Sequence, residues 1–231
     1  MLKVQPASCY PPEEGHYLRG NDFSPVAVVV ILTCDYDKIP KDVEGLVRLG
    51  VESGAALSGT LQTENIGLEK VVCNIIANPN IRYLVLCGPE SKGHLTGEVL
   101  MALVNHGVDT NKKIKNTQAP TPYLFNLPIE HIERFRKQIV RVVNLLHAPS
   151  ETVRQAVQAC YQETPTKFQD YTLYDIGAYP DPPIEGKLTW RVTNPEREPK
   201  NEKEKEQTEK LRERMAWIKK RMAEKQEKKN G

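Results

Sequence analysis

The chain has no apolar stretch long enough to cross a bilayer as a helix. Its longest uncharged apolar run, Pro25 to Cys34 (PVAVVVILTC), is about half of the roughly 20 residues such a helix needs. The N-terminus, MLKVQPASCYPPEEG, lacks the apolar core of a signal peptide, which argues against secretion. Cysteine is scarce and unpaired: Cys9, Cys34, Cys73, Cys87 and Cys160 are odd in number and include no C-x-x-C. Zinc ribbons, disulfide frameworks and thioredoxin-type motifs are therefore not expected, and a reducing cytoplasm is the expected compartment. There is no excess of one charge either, since 32 Lys and Arg face 30 Asp and Glu. That balance hides a division: residues 196–231 carry 13 basic and 9 acidic side chains, leaving 19 and 21 on the preceding body. A body so nearly neutral offers no positive stripe for a phosphate backbone, so nucleic acid is not an expected partner. No internal repeat of solenoid length is present.

A length of 231 residues suits one α/β domain with an appendage. Pro25 to Thr33 is a β-branched run without polar alternation, as in a strand covered on both faces. A short helix is expected after Pro40. Ile66, Val71, Val72, Ile75 and Ile76 then recur at helical spacing, with Thr63 and Glu64 suited to an N-cap and a first-turn carboxylate. A second buried strand is expected at Ile81 to Cys87, followed by a helix from about Gly93 to Asn105. Strand and helix alternate, the pattern of a parallel sheet with helices on its faces. From Pro128 to His147 apolar residues recur every three to four positions, predicting one long helix, and another is predicted from Ser150 to about Gln162. Beyond Pro165 the chain reads as irregular, with a late strand at Lys187 to Val192.

The most informative stretch is Leu86 to Val99, LCGPESKGHLTGEV. It leaves the carboxyl end of a buried strand and enters a helix, which is where open α/β sheets place their ligands. Gly88, Gly93 and Gly97 allow tight turns and close approach of a ligand. Two readings follow. Gly88 and Gly93 have the spacing of a phosphate-binding loop ahead of a helix N-terminus, which favours a nucleotide- or phosphate-binding module. Against it, the positions of the loop's Lys and Ser/Thr hold His94 and Leu95. The other reading takes His94 as a metal ligand. No cluster of Cys, Asp or Glu stands near it in sequence, so a lone His makes best sense if a macrocycle supplies the remaining ligands, as in haem or a corrinoid.

The run GAALSGTLQTENIGLEKVVCNIIANPNIRYLVLCGPESKGHLTGEVL, residues 54–100, resembles the A subunit of tetrahydromethanopterin S-methyltransferase, a corrinoid-carrying subunit of a methanogen membrane complex. The T-E-N-I-G and G-P-E-x-K-G-H blocks carry the resemblance. It continues through SPVAVVVIL, HGVD, PYLFNLP and ERFRKQI, over the first 150 to 180 residues. It implies a Rossmann-like α/β domain with a mostly parallel sheet and helices on both faces, holding a cobamide (cobalamin type) whose lower axial cobalt ligand is His94. It also implies a carrier subunit, not active alone. That carrier passes a methyl group from methyl-tetrahydromethanopterin, through cobalt, to coenzyme M or a related thiol, and other subunits donate and accept the methyl group. Gly88, Pro89, Glu90 and Gly93 are expected to shape the lower corrin face. The segment Leu61, Gln62, Thr63, Glu64 and Asn65 is expected to offer backbone N–H groups to the cofactor; the plain alternative is that these residues cap a helix.

Two features depart from the pattern. Many B12 domains read D-x-H-x-x-G, with the Asp bonded to the far nitrogen of the His; Lys92 stands at that place here. A looser His94 is expected, or a carboxylate from elsewhere, with Glu90 the nearest candidate. The family's membrane subunit ends in an apolar anchor, whereas this chain ends in EKEKEQTEKLRERMAWIKKRMAEKQEKKNG. An anchor-less form is expected, cytoplasmic or peripheral to a membrane complex. The expected division is a corrinoid-binding domain over 1–180, a linker over 181–200 and a charged helical tail over 201–231. In the tail, Leu211, Met215, Ile218 and Met222 form one narrow apolar seam beside Trp217, a surface for self-association or a partner helix; a non-catalytic assembly protein working through that seam is the third reading. Asp35 and Asp37 follow the first strand at the productive edge of the sheet. His16, His106, His131 and His147 lack partners at ligand spacing and are assigned no role, and Cys87 reads as packing.

Overall fold

The chain is described by a computed structural model over residues 2–34 and 38–188, together with Glu206, Glu209 and Lys210. In chain order the elements are β1 (Tyr17–Arg19), β2 (Val26–Ile31), α1 (Lys41–Glu52), β3 (Leu57–Leu61), α2 (Ile66–Ile76), β4 (Tyr83–Gly88), α3 (Thr96–His106), α4 (Ile129–Gln138), β5 (Arg141–Leu146), α5 (Ser150–Cys160), β6 (Thr166–Phe168) and β7 (Tyr171–Leu173). Five strands form one sheet in the order β1-β3-β2-β4-β5, parallel except for the antiparallel edge strand β1. This is the α/β architecture that the alternation of strand and helix predicts.

The unbroken valine run of β2 is explained by its central place. Ala27, Val29 and Ile31 face a core built with α2, α3 and α4, while Val26, Val28 and Val30 face a second core built with α1 and α5. Successive side chains of a strand point to opposite faces, so a strand covered twice needs apolar residues at every position.

Several boundaries differ from expectation. The long helix over Pro128 to His147 is two elements: α4 stops at Gln138, Ile139 is extended, and Arg141–Leu146 is the parallel edge strand β5. Val140, Val142 and Val143 are β-branched and favour extended backbone, and β4 has an open side for them to pair with. The strand LSGTL (β3) carries little apolar signal and is absent from the sequence reading; Gly59 is needed there because Tyr17 of β1 lies where a Cβ would sit. The β6–β7 hairpin lies in a region read as irregular. Helix α2 begins at Ile66 with Asn65 as its N-cap, so Glu64 is not a first-turn carboxylate. Helix α3 begins at Thr96, which leaves His94 in a turn ahead of it.

Residues 174–188 have no regular structure and are strapped back onto the sheet domain. The backbone N–H groups of Tyr179 and Ile184 reach Pro79 O and Ile76 O at 2.9 and 3.1 Å. The Arg134 guanidinium lies 4.4 Å from the centre of the Tyr179 ring. Lys187 and Leu188 are not in a strand, and the rest of the expected late strand falls outside the described residues. Met1–Arg191 and Val192–Gly231 are separate compact units. In the second, Glu206, Glu209 and Lys210 are helical, with a Lys210 to Glu206 ion pair at 2.8 Å. The seam of Leu211, Met215, Ile218 and Met222 lies outside the described residues, as do Asp35 and Asp37. Among the described residues no helix is long and apolar enough to cross a membrane.

One buried side chain closes the end of α4 against α2 and β4. Gln138 is fully buried and its Nε2 donates to Ile75 O, Asn78 O and Ile81 O at 3.0, 2.9 and 3.1 Å. Gln138→Leu keeps the volume but strands these carbonyls, and is expected to lower unfolding free energy by about 2 kcal/mol or more, measured by urea denaturation.

Candidate functional site

The sheet order places β2 between β3 and β4, and the chain reverses direction across it: β3 lies to one side through α1, β4 to the other through α2. Ligand crevices of open α/β sheets form outside the carboxyl ends of the strands at such a reversal. The loops there are those leaving β2, β3 and β4. Helices α2 and α3 turn onto the same face of the sheet, which brings the loops ahead of them together.

The loop after β4 is folded by a glycine and a glutamate. Gly88 has φ +90°, and a Cβ there would stand 3.2 Å from both backbone N and O of Ile31 on β2. Its carbonyl receives the His147 N–H at 2.9 Å, tying in the exit of β5. Glu90 then turns back on α3: Oε1 accepts from Ser91 N and Gly97 N at 2.8 and 3.0 Å, and Oε2 accepts from Glu98 N at 2.9 Å. A carboxylate on the open N–H groups of a helix start meets both its unpaired donors and the positive end of its dipole. Gly97 has no room for a Cβ because Glu90 is packed over it. Glu90 is therefore the cap of α3 and does not reach His94 as the expected carboxylate; its seven-residue return to Gly97 aims it away from the ring. The same arrangement counts against the phosphate-loop reading, since the donors an anion would use are already held by Glu90.

The tip of the loop, Lys92-Gly93-His94, is exposed, as is Pro89. A Cβ on Gly93 would meet nothing within 4 Å. The His94 side chain is 53% exposed, yet its Nδ1 lies 2.7 Å from Oε2 of Glu64, whose side chain is 0% exposed. The carboxylate missing at Lys92 is thus supplied by the loop after β3. Glu64 Oε1 accepts from the Thr121 hydroxyl at 2.6 Å and the Thr121 N–H at 3.2 Å. Burial pushes the Glu64 carboxyl up, but the Thr121 hydroxyl, its own backbone N–H and His94 outweigh that and hold it below the ordinary 4.5.

The other residues of the β3 loop serve the scaffold. Leu61 ends β3 and is buried. Gln62 Nε2 donates to Cys34 O at 2.9 Å, linking the exits of β3 and β2. Thr63 Oγ1 accepts from Gly67 N at 2.9 Å and Asn65 Oδ1 from Ile66 N at 2.7 Å, so both cap α2. Of the ten residues expected at the site, the structure brings His94 and Glu64 together directly; Gly88 and Glu90 shape the loop that presents the ring. Thr121 was not identified from the sequence. It stands 57 positions from Glu64 in a loop without a recognisable motif, and only the fold joins them. Among the described residues no group of three or more His, Cys, Asp or Glu could hold a metal ion by itself.

Two outcomes are expected. Glu90→Ala should uncap α3 and cost about 1–2 kcal/mol, read from thermal or urea unfolding. Because Glu64 titrates lower in the fold than in the open chain, its contribution is present above about pH 4.5 and lost as pH falls. Urea midpoints of Glu64→Gln should then fall less steeply than those of the parent between about pH 6 and pH 3.

Comparison with known proteins shows the family. The family model for the A subunit of tetrahydromethanopterin S-methyltransferase matches residues 3–175. The chain is 39% identical over 170 residues to the A 1 subunit of tetrahydromethanopterin S-methyltransferase from Methanothermobacter marburgensis, covering 73% of this chain and 66% of that protein. It is 38% identical over 164 residues to the A subunit from Methanocaldococcus jannaschii, covering 71% and 64%. Against the A 2 subunit from Methanobrevibacter ruminantium it is 37% identical over 172 residues, covering 74% and 83%. The chain thus spans slightly under two thirds of the first of these relatives. With a family match over most of its length and the G-P-E-x-K-G-H block folded into the β4 loop, the chain belongs to the family of tetrahydromethanopterin S-methyltransferase A subunits.

Proposed function

We propose that the chain is a cobamide-binding methyl carrier, part of a methyltransferase that passes a methyl group from methyl-tetrahydromethanopterin to coenzyme M or a related thiol. The observation that carries this reading is the isolation of His94. One imidazole stands half exposed at the carboxyl ends of the strands, backed by a buried carboxylate, with no second ligand cluster among the described residues. A single outward donor does not hold a bare ion, but it suits a cobalt already ringed by four corrin nitrogens. When bound, such a group supplies a metal centre that accepts and gives up a methyl group.

The protein's own part is binding and orientation. His94 would hold the cobalt of the cobamide, and Glu64 lies behind its ring. Gly93, with open space where a Cβ would be, leaves the lower corrin face room to approach, and exposed Pro89 flanks that approach. Gly88 and Glu90 keep the loop rigid beneath it. Leu61, Gln62, Thr63 and Asn65 support the loop from the β3 side, and the backbone N–H groups of this segment would be offered to the cofactor. The methyl donor and acceptor would be brought by other subunits of the methyltransferase, which this chain would join as a cytoplasmic or peripheral component.

Visible spectra of the purified full chain after mixing with cobalamin and removing free cofactor test the reading. The parent is expected to retain cobalamin with an axial-histidine band, and His94→Ala to lose the cofactor or shift that band. Retention by neither protein would overturn the proposal, and retention by both with identical bands would remove His94 from the ligand role. The phosphate-loop alternative calls for a response to ATP and Mg²⁺, and none is expected while Glu90 holds the α3 N–H groups.

A further inference from the structure

At the end of β4 opposite the His94 loop, two arginines are held without a counter-charge. Arg82 precedes β4 and is half-buried, and Arg134 on α4 is 8% exposed. One residue orients both: Arg82 Nε donates to Gln138 O at 2.8 Å, and Arg134 Nε donates to Gln138 Oε1 at 3.1 Å. Among the described residues, the bonds of the outer nitrogens all go to backbone oxygens of the irregular strap. Arg82 Nη1 donates to Gly177 O at 3.2 Å, and Arg134 Nη1 and Nη2 donate to Pro182 O and Asp181 O at 2.9 and 3.1 Å. The centre of the Tyr179 ring lies 5.5 Å from the guanidinium carbon of Arg82 and 4.4 Å from that of Arg134. Neither arginine has an ion pair among the described residues. Burial pulls both guanidiniums below their ordinary value, and Asp175 and Asp181 oppose this only from beyond ion-pair distance.

A guanidinium is a planar fork of donors that matches an oxyanion, and burying its charge against neutral dipoles alone leaves part of its hydration unreplaced. The strap therefore closes against a cost. It has little to close with, since residues 174–188 join no sheet, Leu188 is buried and Ile184 only partly so. The rest of its hold includes single bonds to Leu2 O, Pro79 O, Ile76 O and the Glu13 carboxylate. The two arginines fall inside the family match over residues 3–175, and the three carbonyls that they hold fall beyond it. We propose that Arg82 and Arg134 form a binding site for a phosphate-class oxyanion, and that residues 176–188 are a displaceable strap whose carbonyls compete for that site. The inference goes beyond the cobamide reading and does not rest on it.

Gln138 makes the pair a site. With both Nε atoms fixed on it, each guanidinium keeps its outer edge turned toward the strap whether or not the strap is down. The two charges also act on each other, Arg82 being among the groups that lower Arg134. A divalent anion relieves that repulsion, which three neutral carbonyls cannot, and its several oxygens can accept from both forks. An anion that binds only the lifted strap raises the opening equilibrium by one plus the ratio of its concentration to its dissociation constant.

The test is amide hydrogen exchange of the full chain, read by mass spectrometry, in sodium phosphate at roughly 50 mM and in sodium chloride of equal ionic strength. In the parent, peptides from residues 174–188 are expected to exchange about 10-fold faster in phosphate, with β4 and β5 unchanged as the internal measure of global stability. Arg134→Gln removes one fork, so its strap should exchange fast in both salts and lose the response. Arg82→Lys keeps the charge without the fork and should respond less than the parent; it decides the matter where Arg134→Gln exchanges too fast to show a difference. Equal or slower strap exchange in phosphate than in chloride in the parent overturns the proposal. So does a phosphate response that is undiminished in the variants, because it would not pass through the arginines.

Discussion

A carboxylate with no exposure to water has to be satisfied by the protein around it, and Glu64 is such a group. Leaving it unpaired would cost several kcal/mol, so the chain must bring donors to it. Those donors come from the loop after β4 through His94 and from the 107–127 loop through Thr121. Three segments distant in sequence are thereby held to one point at the carboxyl end of the sheet. The exposed ring of His94 has a defined place because the group behind it is not exposed.

Two glutamates divide the work of the crevice. Glu90 satisfies the N–H groups that begin α3, and in doing so supplies the negative charge that a phosphate supplies in nucleotide-binding loops. Glu64 stands ahead of α2 and reaches across to the ring. The first decision turns a loop with glycines at phosphate-loop spacing into one that presents a side chain. The second supplies at a distance the carboxylate that a D-x-H-x-x-G loop encodes two residues ahead of the histidine, which leaves Lys92 exposed and outside the pair.

The fold class was legible because β2, β4 and the helices between them are buried on defined faces, and periodicity records burial. The loop Leu86 to Val99 and His94 within it were legible for the same reason, since a glycine-rich turn after a buried strand has few other uses. The errors fell where local pattern and tertiary pairing disagree. Ile139, Val143 and Leu146 keep a helical spacing that continues from α4, yet the open side of β4 draws Arg141–Leu146 into a strand. LSGTL pairs on both sides despite its small and polar residues, because the edge strand β1 needs Gly59 under Tyr17. The carboxylate of His94 was sought at Glu90, the nearest in sequence, and proximity in sequence says little between loops. Thr121 carries no signal outside the folded chain.

The distance along the chain between His94 and Glu64 bears on the order in which the protein is made ready. A peptide holding the whole Leu86 to Val99 loop would contain the histidine without its carboxylate, and the open chain would present an imidazole free to carry its proton on either nitrogen. On the cobamide reading, competence to hold the cofactor is then acquired only when α2 and α3 have docked side by side on the sheet. On the same reading, closure of the chain precedes loading of the corrinoid.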